Sequence, residues 1–262
     1  MIVREMPNGQ LLCINQTSHA LLAAAFCRRW GNRDFSSPAP YEIVMMAIAQ
    51  HDCGWYEWDS RPCLRDDGYP MDFLHGPTGT EKLTLWRRGI ERVAAQHPYA
   101  SLLVGQHAAI MHEEAMPLIP MEERLLTQVF IDEQRARIHT ARQTLDRNSP
   151  CARALDSPAF EAHTRLLQFG DTVSLQVTMP WGPERVFDVC PIDSDGNTTT
   201  IYMTHRDGVV SFNPWPFAVD AFEVSIHGKL LGERNFATVD AYRSALSDAH
   251  YHRLVWTVER SI

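Results

Sequence analysis

The sequence predicts a mainly α-helical protein with a C-terminal α+β extension, and two observations support this fold class. Up to about residue 178, apolar residues recur at helical spacing between the Ser, Thr, Pro and Gly residues that begin and end helices. After Met179 the pattern changes to alternating apolar and polar residues with the turn sequences SDGN and RDGV. We therefore predict a helical domain at residues 1–178 and a small α+β extension at 179–262 packed on it.

The first predicted elements are a short strand and an apolar helix. The strand covers residues 10–15, and the helix covers the sequence SHALLAAAFCRRWG at 18–31. Thr17 or Ser18 can cap this helix, because a hydroxyl oxygen accepts a hydrogen bond from a free backbone N–H of the first turn. His19 then lies in the first helical turn.

The second predicted helix lies in the sequence PYEIVMMAIAQHD, after the Ser/Pro-rich connection SSPAP. Its apolar residues Ile43 and Ile48 have helical spacing. Gly54 is expected to stop the helix. The adjacent residues His51 and Asp52 are therefore predicted to lie at its C-terminal end.

A long ordered loop is predicted between residues 54 and 80. The segment is rich in Gly, Pro, Asp and aromatic residues and has no sustained periodicity. Loops of this length are uncommon in compact domains and tend to be functional. The candidates for a pocket wall are Trp55, Trp58, Asp59, Arg61, Tyr69, Asp72 and His75. A loop packed by its own aromatic side chains is the alternative.

The remaining predicted helices carry two further candidate residues. His107 lies on a helix that begins at Pro98, and Asp171 lies on a helix that follows the capping pair Ser157 and Pro158. The helix that carries Asp171 covers residues 159–177. The other predicted elements are helices over residues 81–96 and 121–145, and a short amphipathic helix, TVDAYRSALSDAH, among the C-terminal strands.

Composition excludes some classes of partner. A net charge of -8 argues against nucleic-acid binding, because a phosphate-binding surface needs clustered Lys and Arg. The N-terminal residues do not resemble a secretion signal, and no window approaches the ~18 apolar residues of a membrane span. We expect a cytoplasmic protein with a small-molecule substrate and no membrane partner, and its oligomeric state stays open.

The six cysteines are expected to be reduced thiols, because they are scattered through a large chain without a secretion signal. Cys53 and Cys63 flank the predicted loop, so a thiolate ligand or nucleophile is an alternative to small, half-buried side chains. No CxxC pair supports that alternative.

Four residues in the order H…HD…D have the side chains of a metal site. His19, His51, Asp52 and Asp171 supply two imidazoles and two carboxylates, which are ligands for Zn, Fe and Mn ions. A buried Asp171 without a partner would cost several kcal/mol, which favours a metal, Arg or His neighbour. We predict one or two divalent transition metals, Fe, Mn or Zn.

This ordered pattern, with the last Asp in the sequence DTVSL, resembles the HD-domain superfamily of metal-dependent phosphohydrolases over residues 15–178. The resemblance implies an HD-domain-like helical bundle in which the four residues are metal ligands. It also implies that His75 and His107 bind a second metal or contact phosphate. The sequences HDCGWYEWD and PWPF resemble an uncharacterised bacterial family of unknown function.

The function that this resemblance implies is hydrolysis of a phosphate ester by metal-activated water. Asp52 would bind the metal and orient the water, and His107 or Arg61 would contact the substrate. Three basic residues at the Gly-rich segment HGPTGTEK are candidates to neutralise a phosphate: Lys82, Arg87 and Arg88. A solvated helix face explains them equally well.

Two other functions stay open. Some members of the superfamily hold two irons and oxidise small organic substrates, and a non-catalytic metal- or ligand-binding protein is the third possibility. The lack of a G-x-S-x-G sequence and of the strand order of an α/β-hydrolase argues against a serine hydrolase. The segment GPTGT lacks the Lys-Ser/Thr ending of a phosphate-binding P-loop, which argues against a nucleoside triphosphatase.

Overall fold

A computed structural model of the chain describes residues 1–260, and it has an α+β fold. Helices contain 49% of the residues and strands 21%. The prediction of a mainly α, HD-domain-like bundle is therefore wrong, and so is the description all-α. The finding that overturns it is a seven-stranded sheet, curled into a half-barrel, which includes strands from both ends of the sequence.

The helices of the first half of the fold are close to the predicted ones. Helix α1 begins at Gln16 rather than at 18, and α4 begins at Gly79 rather than at 81. The helices are α1 (Gln16–Cys27), α2 (Tyr41–Gln50), α3 (Tyr56–Asp59), α4 (Gly79–Gln96), α5 (Pro98–Ala115), α6 (Met121–Thr144), α7 (Pro150–Leu155), α8 (Ala159–Thr178) and α9 (Val239–Asp248), with 3-10 turns at Cys53–Trp55 and Met116–Leu118.

The sheet has the strand order β1-β2-β6-β7-β5-β4-β3. Neighbouring strands are antiparallel except for β5 and β7, which are parallel. The strands are β1 (Ile2–Glu5), β2 (Leu11–Ile14), β3 (Glu184–Pro191), β4 (Thr198–Arg206), β5 (Val209–Asn213), β6 (Ala221–Leu231) and β7 (Tyr251–Arg260).

The N-terminal strand pair forms part of the same sheet as strands from beyond the predicted domain boundary. Strands β1 and β2 belong to residues 1–178, but β2 pairs with β6 of residues 179–262 through Leu11 and Leu231. An isolated bridge between Trp30 and Phe217 joins the same two parts of the chain. The two ranges therefore share one sheet, and the proposed division into two domains stays a prediction.

Helix α1 contacts both the other helices and the sheet. It packs against α2, α8 and β6. Phe26 of α1 contacts Phe212 of β5, and Phe169 of α8 contacts the same ring, with ring centroids 6.4 and 5.8 Å apart. One main core therefore joins helices and sheet, which explains why α1 is apolar on nearly every face.

The predicted loop over residues 54–80 contains more regular structure than its sequence indicates. It begins with the 3-10 turn Cys53–Trp55 and the short helix α3, and a bridge pairs Leu64 with Pro70. Phe73 packs on the main core. Among residues 1–260, no helix combines the length and the apolar composition that crossing a bilayer would require.

Candidate metal centre

Five of the predicted site residues converge in the interior of the protein. His19, His51 and His107 are each 1% exposed, Asp52 is 5% exposed and Asp171 is 8% exposed. They come from the start of α1, the end of α2, the middle of α5 and the middle of α8. Because four separate segments supply them, their position depends on the packing of the helices.

The HD pair is fixed by a close approach between two backbones. His51 is the C-cap of α2, and Asp52 precedes the 3-10 turn that contains Gly54. A Cβ at Gly54 would lie 2.1 Å from the carbonyl oxygen of Leu85, and a Cβ at Gly89 would lie 2.9 Å from the amide nitrogen of Gly54. Only glycine allows this contact, which holds the turn against α4.

The distances from both histidines to Asp171 fit a single ion, whereas Asp52 lies at hydrogen-bond distance from His19. His19 Nε2 lies 2.9 Å from Asp52 Oδ2 and 3.5 Å from Asp171 Oδ1. His51 Nε2 lies 3.4 Å from Asp171 Oδ1 and 3.8 Å from Asp52 Oδ2. Ligands about 2.0–2.2 Å from a tetrahedral metal lie about 3.3–3.6 Å from one another, whereas hydrogen bonds are shorter.

The set formed by His19, His51 and Asp171 is the tightest part of the cluster. One ligand atom from each of the three lies within 4.8 Å of the other two. Asp52 is the fourth candidate, because its Oδ2 faces both imidazole Nε2 atoms, although its contact with His19 is short enough for a hydrogen bond.

Hydrogen bonds outside the cluster aim both histidines at its centre. The carbonyl oxygen of Ile48 accepts a hydrogen bond from His51 Nδ1 at 2.8 Å. His19 Nδ1 lies 2.7 Å from Ser174 Oγ, and that hydroxyl donates to the backbone oxygen of Asp171. Each Nδ1 therefore donates, which leaves the Nε2 lone pair free for a metal ion.

The surroundings of His19 require an additional positive charge. Its Nδ1–H donates to Ser174 Oγ, so in a neutral ring Nε2 has a lone pair and no proton. This lone pair faces Asp52 Oδ2, which is also an acceptor. Two acceptors at hydrogen-bond distance repel unless a proton or a cation lies between them. The Nε2 atom of His51 is also buried without a hydrogen-bond partner.

Charge interactions inside the cluster are strong. Burial alone would lower the pKa of His51, but the carboxylates of Asp52 and Asp171 outweigh it and raise the pKa to about 9. Burial would raise the pKa of Asp171, but His51 and the other two histidines hold it well below its usual range. The cluster therefore favours ionised carboxylates facing a positive charge.

His107 lies on the far side of Asp171. Its Nε2 is 3.5 Å from Asp171 Oδ2, whereas His19 and His51 face Oδ1. Burial lowers the pKa of His107 to about 4, and neither ring nitrogen has a hydrogen-bond partner. A neutral imidazole in this position is available to a second ion or to a substrate.

Two predicted site residues lie outside the cluster. The side chain of His75 is 54% exposed, and its Nδ1 is 2.7 Å from Asp72 Oδ1. Arg61 is exposed after helix α3. Sequence periodicity could not locate either residue, because the segment between α3 and α4 is irregular.

The cysteines beside the HD pair make ordinary thiol contacts. Cys53 Sγ donates to the carbonyl oxygen of Gly89, and Cys63 Sγ donates to that of Arg61. Burial raises the pKa of Cys53, which disfavours the thiolate form that ligands and nucleophiles need. The thiolate alternative therefore finds no support at Cys53.

Sequence reasoning missed two buried side chains near the cluster. Neither His112 nor Trp86 is among the site residues that the sequence predicts. Both are buried, and each has a ring nitrogen without a hydrogen-bond partner. The available signal was the spacing of Lys82 and Trp86, which lie four residues apart on α4 and so share a helix face.

The match to a known family covers most of the chain. A family model described as a protein of unknown function, DUF3891, matches residues 1–233. The chain belongs to DUF3891. The matched range contains the whole metal-ligand cluster and continues past residue 178 into the sheet, through β6.

Membership of DUF3891 corrects the expected resemblance. No curated protein and no solved structure matches the chain. No HD-domain model matches it either, and the curled sheet is not part of an all-helical HD fold. The HD-domain assignment is therefore wrong, because the short H…HD…D pattern does not specify a fold. The description of DUF3891 names no activity or cofactor.

Proposed function

We propose that this protein is a metal-dependent hydrolase that cleaves a phosphate ester of a small molecule. The observation that supports it is the arrangement of His19, His51 and Asp171 at distances suited to one ion, with Asp52 Oδ2 beside both histidines as a fourth candidate ligand. Fe, Mn and Zn accept this combination of imidazole and carboxylate ligands. The proposal requires one metal ion in this cluster, and His107 is available to bind a second ion.

A divalent cation held there would lower the pKa of bound water to about 7 and polarise a phosphoryl oxygen. Asp52 faces the histidines through Oδ2, which leaves Oδ1 to accept a hydrogen bond from the attacking water. The water oxygen forms the new bond to phosphorus, the ester P–O bond breaks, and the leaving alcohol takes a proton. Neutral His107 is a candidate to exchange protons or hydrogen bonds with the substrate.

The charge of the cluster suits an anionic substrate. Two carboxylates balance a divalent cation, and the histidine ligands are neutral when they bind a metal. Such a centre does not repel a phosphate oxygen, whereas a centre with three or four carboxylates would. This balance supports a phosphate ester over a neutral or cationic substrate.

The burial of the centre favours a small substrate. A groove of about 690 Å³ between α4, α5 and α6 is lined by none of the five converging residues. All six cysteines are free thiols. This agrees with a reducing compartment, and we include a cytoplasmic location in the proposal.

The experiment is a phosphate-release assay on protein stripped of metal and reloaded with Zn, Mn or Fe. We expect phosphate release from small phosphate monoesters only with metal, and a loss of more than about 100-fold in Asp171→Asn. The matched control is His163→Gln, which changes a buried histidine of the same helix outside the cluster and should keep the activity.

Two results would contradict the proposal. One is phosphate release that does not depend on the metal or on Asp171. The other is dioxygen consumption by iron-loaded protein without any phosphate release, which would indicate oxidation as the reaction of the same cluster.

A further inference from the structure

We infer that Lys82, Trp86 and His112 form a binding subsite beside the metal centre for a phosphate group that carries a hydroxyl. The inference rests on the proposed function for its catalytic meaning, because the subsite would present the phosphate to the adjacent centre. The binding itself depends on protein side chains alone. The three residues come from the first two turns of α4 and from α5.

Lys82 is a half-buried cation close to the centre. Among the described residues it forms no ion pair within 4.0 Å and no side-chain hydrogen bond, unlike Arg87, whose guanidinium is bound to Glu133. Burial lowers the pKa of Lys82, while the charges of Asp52 and Glu123 act against that effect. A desolvated ammonium without a direct counter-ion favours an anionic ligand.

Trp86 supplies a second donor next to Lys82. It lies one helical turn further along α4 and is 3% exposed, and its indole Nε1 has no hydrogen-bond partner. Its ring contacts His107 and His112 edge to face, with centroids 6.1 and 6.0 Å apart. Trp86 therefore connects the subsite to a residue of the metal-centre cluster.

His112 supplies an acceptor. Its Nδ1 donates to the carbonyl oxygen of Ala108 at 2.7 Å, so Nε2 carries the lone pair. That Nε2 is buried without a partner. Burial lowers the pKa of His112, and the positive charge of Lys82 lowers it further, which keeps the ring neutral. A buried acceptor left unsatisfied costs about 1–3 kcal/mol.

Two donors and one acceptor define the chemistry of the ligand. The Lys82 ammonium and the Trp86 N–H suit anionic oxygens, while His112 Nε2 needs an O–H donor. Phosphate at neutral pH and phosphate monoesters in their monoanionic form have both kinds of group. Sulfate has the same shape but no hydroxyl at this pH, so it would leave His112 unsatisfied.

Calorimetric titration of inorganic phosphate into metal-loaded protein tests the subsite. We expect Lys82→Gln to weaken phosphate binding about tenfold or more, because a charge-assisted hydrogen bond is lost. Arg88→Gln is the matched control, since it removes one positive charge from an exposed position of the same helix and should have little effect. Trp86→Phe removes only the N–H donor and should weaken binding to a smaller extent.

The hydroxyl requirement has its own test in the ratio of phosphate to sulfate affinity. We expect His112→Phe to reduce the preference for phosphate about tenfold relative to the wild type, because it removes the acceptor. Phosphate affinity unchanged in both Lys82→Gln and Trp86→Phe, with folding intact by circular dichroism, would overturn the inference.

Failure of the subsite and failure of the proposed function give different results. Normal metal binding together with unchanged phosphate affinity in both Lys82→Gln and Trp86→Phe would overturn the subsite alone. Lys82-dependent phosphate binding by a protein that takes up no metal would support the subsite and contradict the proposed function.

Discussion

Ser174 orients a candidate metal ligand from outside the cluster. Its hydroxyl accepts from His19 Nδ1 and fixes which ring nitrogen faces the cluster. We predict that Ser174→Ala lowers metal affinity about 10–100-fold, as is typical for partners of metal-binding histidines. Isothermal titration with Zn and Mn measures this.

Ser101→Ala is the control for Ser174→Ala. Ser101 is a buried serine of α5, and its hydroxyl donates to the Pro98 carbonyl oxygen. The substitution should leave metal affinity unchanged. Equal losses in the two variants would mean that the effect comes from general destabilisation and not from the orientation of His19.

His163 gives the protein a sensitivity to acid that is independent of the metal centre. It is 2% exposed, hydrogen-bonded to the Tyr99 hydroxyl at 2.8 Å, and burial lowers its pKa to about 4. In the unfolded chain His163 has a pKa near 6.5, whereas in the folded protein it takes up a proton only at about pH 4. Stability is therefore complete above about pH 6.5 and falls as the pH decreases through this window.

We predict that His163→Gln has a shallower loss of stability between pH 6.5 and 4 than the wild type. The difference in unfolding free energy should reach about 3 kcal/mol at most. Urea denaturation at a series of pH values measures it. Parallel curves for the two proteins would mean that His163 has the same pKa in the folded protein as in the unfolded chain.

The turn that carries the HD pair depends on two glycines in contact. Because a Cβ at Gly54 would overlap the backbone of α4, Gly54→Ala should lower the free energy of unfolding by about 2–3 kcal/mol. It should also weaken metal binding, since Asp52 lies two residues before Gly54. Denaturant titration and metal titration check the two effects.

Gly182→Ala is the matched control, because an added Cβ there would have no atom within 4 Å. Its stability should stay within about 0.5 kcal/mol of the wild type. Wild-type metal affinity in Gly54→Ala would mean that the turn does not position Asp52.

Local sequence patterns were sufficient to predict those helices and strands whose own residues carry the periodicity and the capping residues. The helix predicted over 121–145 is α6 (Met121–Thr144), and the helix predicted over 159–177 is α8 (Ala159–Thr178). The strand predicted over 10–15 contains β2 (Leu11–Ile14). Strand β1 has the same length but was missed, because its sequence IVRE is neither an apolar run, as LLCI in β2 is, nor an alternation of apolar and polar residues.

The arrangement of the whole molecule could not be predicted in the same way. Leu11 pairs with Leu231, and no local pattern specifies a partner so distant in sequence. The short H…HD…D pattern predicted which residue types come together but assigned the wrong fold. Five residues do converge, whereas His75 and Arg61 do not, because their segment has no periodicity from which a direction could be derived.

The metal content of protein purified without a chelator tests the central claim most directly. The wild type should contain at least one transition-metal ion per chain by elemental analysis, and His51→Ala should contain almost none. His163→Ala, which truncates another buried histidine, should keep the wild-type content. A His51→Ala protein with unchanged metal content, or a wild type that takes up no metal on titration, would contradict the claim.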